Sequence, residues 1–255
     1  MDFTPHALRK AAVEIASIGG DSTLHFFKKS FDIQFKDDES PVTNADRNAE
    51  KLMRTAIKSR YPEHGIIGEE FGSENEDADI VWVLDPIDGT QSFIHGIPFY
   101  TTLIGVLVKG SPEVGVIYAP ALKEMVSAAI GYGCYLNREK ASVRKCVSLD
   151  KATFLTTDIE HIHKHGFTQP FEKLLNKTRL HRTWGDAYGH MMVATGRADI
   201  MFDPILNLWD AAALLPVIKE AGGTYVDVNG KESIESGNAI STLPNLKTEI
   251  LSFFE

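Results

Sequence analysis

No apolar stretch in these 255 residues approaches the ~20 needed to span a bilayer. The start, Met1-Asp2-Phe3, lacks the basic residues and apolar run of a secretory leader, so a cytoplasmic protein off the membrane is expected. Cysteine is scarce. Cys134 and Cys146 are the only two, and without a C-x-x-C spacing they form neither a zinc nor a redox motif. Free thiols in a reducing compartment are expected. Positive charge is also short: Lys and Arg number 26 against 35 Asp and Glu, a net charge of −9. That balance argues against nucleic acid, which wants a basic surface. It suits a phosphorylated substrate no better, unless a divalent cation stands between the two anions. A G-x-S-x-G elbow and a complete P-loop are both missing.

What remains is an ordinary globular composition, 43% hydrophobic and 24% charged, long enough for a sizeable core. The spacing of Leu8, Ala12, Ile15 and Ile18 predicts a helix from about Pro5 to Lys28. A charged loop, Lys36 to Pro41, separates it from a second helix, roughly Ala45 to Ser59. Gly65–Gly68 reads as a short buried strand with Glu69-Glu70 at its end. Ile80–Leu84 reads as a strand buried on both faces that stops at Asp85. Strands at Tyr100–Val108, Glu113–Tyr118 and Glu124–Ala129, split by turns at Gly110-Ser111-Pro112 and Ala119-Pro120, predict an antiparallel meander. Later segments alternate. Strands at Thr153–Thr157, Arg179–Thr183 and Ala198–Phe202 interleave with helices at Gln169–Asn176, Asp186–Gly196 and Trp209–Glu220. Residues 1–255 are expected to form one catalytic unit, with an α+β half over 1–145 and an α/β half over 146–255.

The chemistry gathers at Asp85-Pro86-Ile87-Asp88-Gly89-Thr90. Two carboxylates and the Ile87 carbonyl on one rigid turn make an all-oxygen set, which hard cations such as Mg²⁺ prefer. Gly89 lets the backbone approach an anion closely, and Thr90 opens a short helical turn. Alone, the string fits a tight turn with two capping aspartates equally well. It is not an EF-hand loop, because Ile87 and Gly89 occupy the alternate positions that need oxygen ligands. Glu69 at a strand end and Asp210 in the first turn of a helix offer two more carboxylates. Four acidic ligands from three segments could hold two or three Mg²⁺ beside a phosphate.

Taken in order, Val42-Thr43-Asn44-Ala45-Asp46, Glu69-Glu70, Asp85 to Thr90, Trp209-Asp210-Ala211-Ala212 and Ala221-Gly222-Gly223 resemble the inositol monophosphatase family over nearly the whole chain. The resemblance implies a layered αβαβα sandwich of the α/β class, usually a homodimer, with magnesium-dependent and often lithium-inhibited phosphatase activity on a small phosphorylated substrate. Carried across, Glu69, Asp85 and the Ile87 carbonyl would bind one Mg²⁺. Asp85, Asp88 and Asp210 would bind a second, and Glu70 would help hold a third through water. Thr90, Asp46 and Glu69 would serve the attacking water, and Gly89 and Thr90 the phosphate. No phosphoenzyme is expected.

Which ester is cleaved depends on other residues. Gln91-Ser92-Phe93, Trp184-Gly185-Asp186-Ala187 and Asp203-Pro204 are similar to the histidinol-phosphatase branch of that family. Histidinol phosphate carries an ammonium and an imidazole, which Asp186 and Asp203 would suit. Asp88, Gly185, Asp186, Ala187, Asp203 and Asp210 are the expected substrate contacts. Carboxylates also accept sugar hydroxyls, and Asp186 could simply cap its helix, so an inositol or other polyol phosphate stays open. A non-catalytic metal- or phosphate-binding protein is a more distant alternative. His161, His163 and His165 alternate after a strand, which would place all three on one side of an extended segment. A solvated loop near the substrate mouth is expected there rather than a metal site. Asp77-Ala78-Asp79 mimics an aspartyl-phosphate motif, but its apolar strand follows instead of preceding it.

Overall fold

The computed structural model describes residues 3–29, 33–35 and 41–255, so residues 36–40 of the expected charged loop lie outside it. Helix α1 (Pro5–Thr23) opens with Thr4 accepting from the Ala7 amide and Pro5 in its first turn. It ends short of Lys28. The hydroxyls of Ser22 and Thr23 bond back to the carbonyls of Gly19 and Gly20 at 2.6 Å, and such local bonds compete with helical continuation. A two-stranded ribbon, β1 (Ile33–Phe35) and β2 (Pro41–Thr43), leads into helix α2 (Asn44–Arg60).

The first large sheet comprises β3 (Gly65–Gly68), β4 (Gly72–Glu74), β5 (Ile80–Asp88), β6 (Thr101–Val108), β7 (Ser111–Ala119), β8 (Glu124–Ala129), β9 (Gly133–Leu136) and β10 (Glu139–Ala141). The short helix α3 (Thr90–Ile94) follows β5. Strand order is β10-β9-β8-β7-β6-β5-β3-β4, antiparallel except where β3 lies parallel to β5. The expected meander is its centre. The second sheet holds β11 (Thr153–Thr156), β12 (Leu180–Arg182), β13 (Ile200–Asp203), β14 (Thr224–Val226) and β15 (Ala239–Thr242) in the order β12-β11-β13-β15-β14. Its helices are α4 (Ile159–Lys164), α5 (Thr168–Lys177), α6 (Asp186–Ala194), α7 (Leu208–Glu220) and α8 (Lys247–Leu251).

Three apolar interfaces stack these parts. Leu8, Ile15, Met53 and Ile57 of α1 and α2 pack on Trp82, Leu84 and Ile104 of the first sheet. The opposite face of that sheet meets α6 and α7, which also cover Leu155, Met201 and Tyr225 of the second sheet. Phe154, Ile200 and Phe202 turn the other way, onto Ile162, Phe171, Leu174 and Ile250 of α4, α5 and α8. The layering is therefore α, β, α, β, α, as expected.

Two local expectations need correction. Strand β5 does not stop at Asp85: it runs to Asp88, pairing Asp85 with Leu103 and Asp88 with Thr101 across a bulge. Pro86 has no N–H for the ladder, and its carbonyl accepts instead from Thr102 Oγ1 at 2.8 Å. The histidine segment is neither extended nor a loop. Asp158 accepts from the Glu160 amide and caps α4, so residues four apart share a side. His161 and His165 rings lie 6.1 Å apart, and His163 instead bonds Thr168 Oγ1. Among the described residues, Asp85, Asp88 and Asp210 alone form a metal-type cluster, and no histidine enters it.

Candidate active site

Strands β3 and β5 run parallel and end side by side, which brings Glu69 next to Asp85. The Glu69 amide donates to the Leu84 carbonyl at 3.2 Å and fixes that register. The bulge then sets Asp88 beyond Asp85, with the Ile87 amide donating to Asp85 Oδ1 at 3.0 Å. Asp210 arrives from the start of α7. It occupies the third helical position and accepts from the Asn207 amide at 2.6 Å, a reciprocal cap. Oxygens of Asp85, Asp88 and Asp210 lie within 4.8 Å of one another.

Crowding has an electrostatic cost. Burial, then the charges of Glu69, Asp88 and Asp210, push the Asp85 carboxyl well above the usual range. Burial raises Asp88 to about 6 and Asp210 to about 7. Among the described residues no Lys or Arg pairs with any of the three. Hard oxygen donors, mutually repelling and without a counter-charge, are what a divalent cation would neutralise, so the donor set fits Mg²⁺.

Asp46 heads α2. Both the amide and the hydroxyl of Thr43 bond its Oδ2, at 2.8 and 2.5 Å. Burial lifts its carboxyl to about 7, and the charges of Glu70 and Glu69 add to this. Thr90 donates its hydroxyl to the Ile87 carbonyl at 3.0 Å. Asp46 and Thr90 were expected to act together. Their hydrogen bonds in this structure go to Thr43 and to Ile87 respectively.

Above the carboxylates opens a cavity of about 640 Å³. It is lined by Glu69, Asp88, Asp186, Asp203 and Asp210, by Gly89 and Thr90, and by an outer apolar rim that includes Ile159 and Ile205. Among the described residues no Lys or Arg lines it, and His161 is the one described lining residue able to carry positive charge. Asp186 does not cap α6 with its side chain; Gly185 stands at the cap position. Asp186 adopts a left-handed φ of 52°, rare for a residue with a Cβ. Its carboxylate presses on Gly89, where an added Cβ would lie 2.8 Å from Asp186 Oδ2. Burial and then the charges of Asp88, Asp203 and Asp210 raise the Asp186 carboxyl well above its usual range. Asp203 reaches the cavity too, but it is 3% exposed and both its oxygens are engaged, one by His190 and one by Thr157.

The sequence pattern of the inositol monophosphatase family matches residues 5–252. The chain belongs to the inositol monophosphatase family. It is 40% identical to a histidinol-phosphatase of Chlorobaculum parvum, over 92% of this chain and 91% of that protein. It is 33% identical to a Nus factor SuhB of Pasteurella multocida, covering 94% and 93% of the two chains. Among solved structures, an inositol monophosphatase from Zymomonas mobilis superposes with a TM-score of 0.88 at 33% identity, covering 99% of both chains. The protein is thus a metal-dependent phosphoric monoester hydrolase of this family, with its acidic cluster at the meeting of β3, β5 and α7. No helix among the described residues is long and apolar enough to cross a membrane.

Several residues that build the site gave no signal in the sequence. Thr101 donates to Asp88 Oδ2 at 2.9 Å, but a threonine opening a strand looks like any other. Glu50, fully buried on α2, accepts from the amides of Glu70 and Phe71 and from Arg54. An i,i+4 acid–base pair on a helix reads as a surface bridge, so its grip on the Glu69-Glu70 segment was hidden. His190 and Thr157 lie outside every motif.

Proposed function

We propose that the chain hydrolyses histidinol phosphate, using two or three Mg²⁺ held by the carboxylate cluster. The observation that carries this reading is Asp186, strained into the left-handed region with its carboxylate directed at Gly89 in a lining whose described residues include no Lys or Arg. An ammonium on the substrate would relieve the charge that Asp88, Asp203 and Asp210 impose on Asp186. Identity to a histidinol-phosphatase adds support.

Glu69, Asp85 and the Ile87 carbonyl would hold one ion. Asp85, Asp88 and Asp210 would hold a second, and Glu70 would help hold a third through water. Bound Mg²⁺ would supply a lowered water pKa and charge for the leaving alkoxide. The chain's own residues do the rest. Amides of Gly89 and Thr90 orient the phosphate. Thr90 and Asp46 place the attacking water opposite the leaving oxygen. Glu69 accepts hydrogen bonds from that water. Apolar side chains such as Ile159 and Ile205 shelter the organic part of the ester. A homodimer and inhibition by lithium belong to the same reading.

A second reading is a polyol phosphatase, supported by likeness to an inositol monophosphatase at 33% identity. Steady-state kinetics on histidinol phosphate and inositol 1-phosphate separate the two. At least a tenfold advantage in kcat/KM is expected for the histidinol ester, and a clear advantage for the inositol ester would overturn the assignment.

A further inference from the structure

His190 is fully buried on α6, and neither the metal cluster nor the phosphate site uses it. A buried imidazole needs partners for both nitrogens. Nδ1 pairs with Ser241 Oγ at 2.6 Å, and Nε2 pairs with Asp203 Oδ2 at 3.0 Å. The other Asp203 oxygen accepts from Thr157 Oγ1. Thr157 Oγ1 in turn accepts from the amide of Asp186 at 2.7 Å. An unbroken chain therefore runs Ser241, His190, Asp203, Thr157, Asp186. It ties β15, α6, the end of β13 and the end of β11 beneath one wall of the cavity.

The direction of each bond gives the chain its effect. An ionised Asp203 can only accept, so it requires N–H at His190 Nε2 and O–H at Thr157. With its proton committed to Asp203, the Thr157 oxygen presents a lone pair to the Asp186 amide. That bond anchors Asp186 at a φ of 52°, the conformation that aims its carboxylate across Gly89. Strained backbone of this kind persists only where its surroundings over-determine it. Without His190, Asp203 would lose its fixed partner, and Thr157 would lose the fixed acceptor that keeps its lone pair on the Asp186 amide.

We propose that His190 is a positioning residue for substrate selection, fixing the Asp203 carboxylate in the cavity wall and, through Thr157, holding Asp186 on the cavity. The proposal rests on the reading of Asp186 as the site for a cationic substrate group. It does not involve the Mg²⁺ ligands.

The test uses the full-length protein with Mg²⁺ and three esters: histidinol phosphate, inositol 1-phosphate and p-nitrophenyl phosphate. His190→Leu removes the donor to Asp203, His190→Gln keeps an N–H at a similar reach, and Thr157→Val cuts the chain at its other end. His190→Leu and Thr157→Val are expected to lower kcat/KM for histidinol phosphate at least tenfold, mainly through KM. The two esters whose organic part carries no cation should change less than threefold, and half-saturation by Mg²⁺ should not move. His190→Gln should recover most of the loss. If His190→Leu fails to fold by circular dichroism, Thr157→Val carries the comparison alone. An equal fall on all three esters, or an unchanged ratio between them, overturns the proposal. The wild-type ratio is separate: no preference for the histidinol ester would defeat the substrate assignment, whereas a ratio that still shifts in the variants would uphold the chain.

Discussion

The backbone amide of Ala187 donates to Oδ2 of Asp88 at 2.8 Å, joining residues 99 positions apart in the sequence. It draws the start of α6 onto the end of β5 and fixes one side of the cavity to the other. The positive end of the α6 dipole thereby faces a carboxylate. Thr101 donates to the same oxygen at 2.9 Å, so Asp88 is oriented by one group from β6 of the first sheet and one from the start of α6.

Thr101→Val keeps the shape of this side chain and removes one of those two donors. Partners behind a metal ligand are commonly worth 10–100-fold in metal affinity. Half-saturation by Mg²⁺ is expected to rise about tenfold, with little change in melting temperature in the absence of metal. A titration of activity against Mg²⁺ checks this, and an unchanged curve would remove Thr101 from the site.

Asp85→Asn addresses the centre of the cluster. Asp85 is 2% exposed, and its carboxyl is raised by burial and by the charges of Glu69, Asp88 and Asp210. Removing one charge from that group should stabilise the metal-free protein while abolishing turnover. The expected result is a fall in kcat of about 10³-fold or more, the loss of Mg²⁺-induced thermal stabilisation, and a melting temperature equal to or above that of the parent without metal. Turnover within tenfold of the parent would sink the metal assignment.

Much of this architecture was legible because it is local. The apolar run Ile80–Leu84 marked a buried strand, and the second helix was placed from about Ala45, within one residue of the start that Thr43 and Asp46 cap reciprocally. The carboxylates of the cluster were each visible at an element end. What escaped notice depends on contacts remote in sequence. The bulge that carries β5 on to Asp88 comes from pairing with β6, and no pattern inside Asp85 to Thr90 encodes it. Alternating histidines suggested an extended segment because side-chain identity was read without the cap at Asp158. Asp203 was visible as an acid beside a proline, but its burial against His190 and Thr157 was not.

Gly68→Ala probes how the Glu69-Glu70 segment is held. A Cβ there would fall 2.1 Å from Glu50 Oε1 and 2.8 Å from a terminal nitrogen of Arg54. Glu50 has nowhere to retreat, since it is fully buried and already accepts from Arg54 and from the Glu70 and Phe71 amides. The methyl must therefore displace the clamp or the strand end. A loss of roughly 1–3 kcal/mol in stability is expected from overpacking, with weaker Mg²⁺ activation because Glu69 moves. Glu50→Gln, which adds no volume, should weaken activation with a smaller stability loss. Parent-like Mg²⁺ titrations for both variants would show that the clamp does not position Glu69.

The pH dependence follows from the raised carboxyls. Asp46 and Asp210 stand at about 7 and Asp88 at about 6 in the metal-free fold, against 3.8 for an unperturbed aspartate. Between these values the folded chain binds more protons than the unfolded chain, so unfolding free energy falls as pH rises through the window. Metal-free protein is therefore expected to gain melting temperature when pH drops from 8 to about 5.5. A gain of about 5 °C would correspond to about 2 kcal/mol for a domain of this size. Mg²⁺ requires the ionised carboxylates, so its effect has the opposite sign: affinity strengthens as pH rises and levels off above about 8. The stabilisation produced by a fixed Mg²⁺ concentration should be greatest near pH 8 and shrink steadily towards pH 5.5. Thermal melts with and without Mg²⁺ at each pH read both trends, and an Mg²⁺-induced shift that is constant across the range would mean that these carboxyls do not bind the ion.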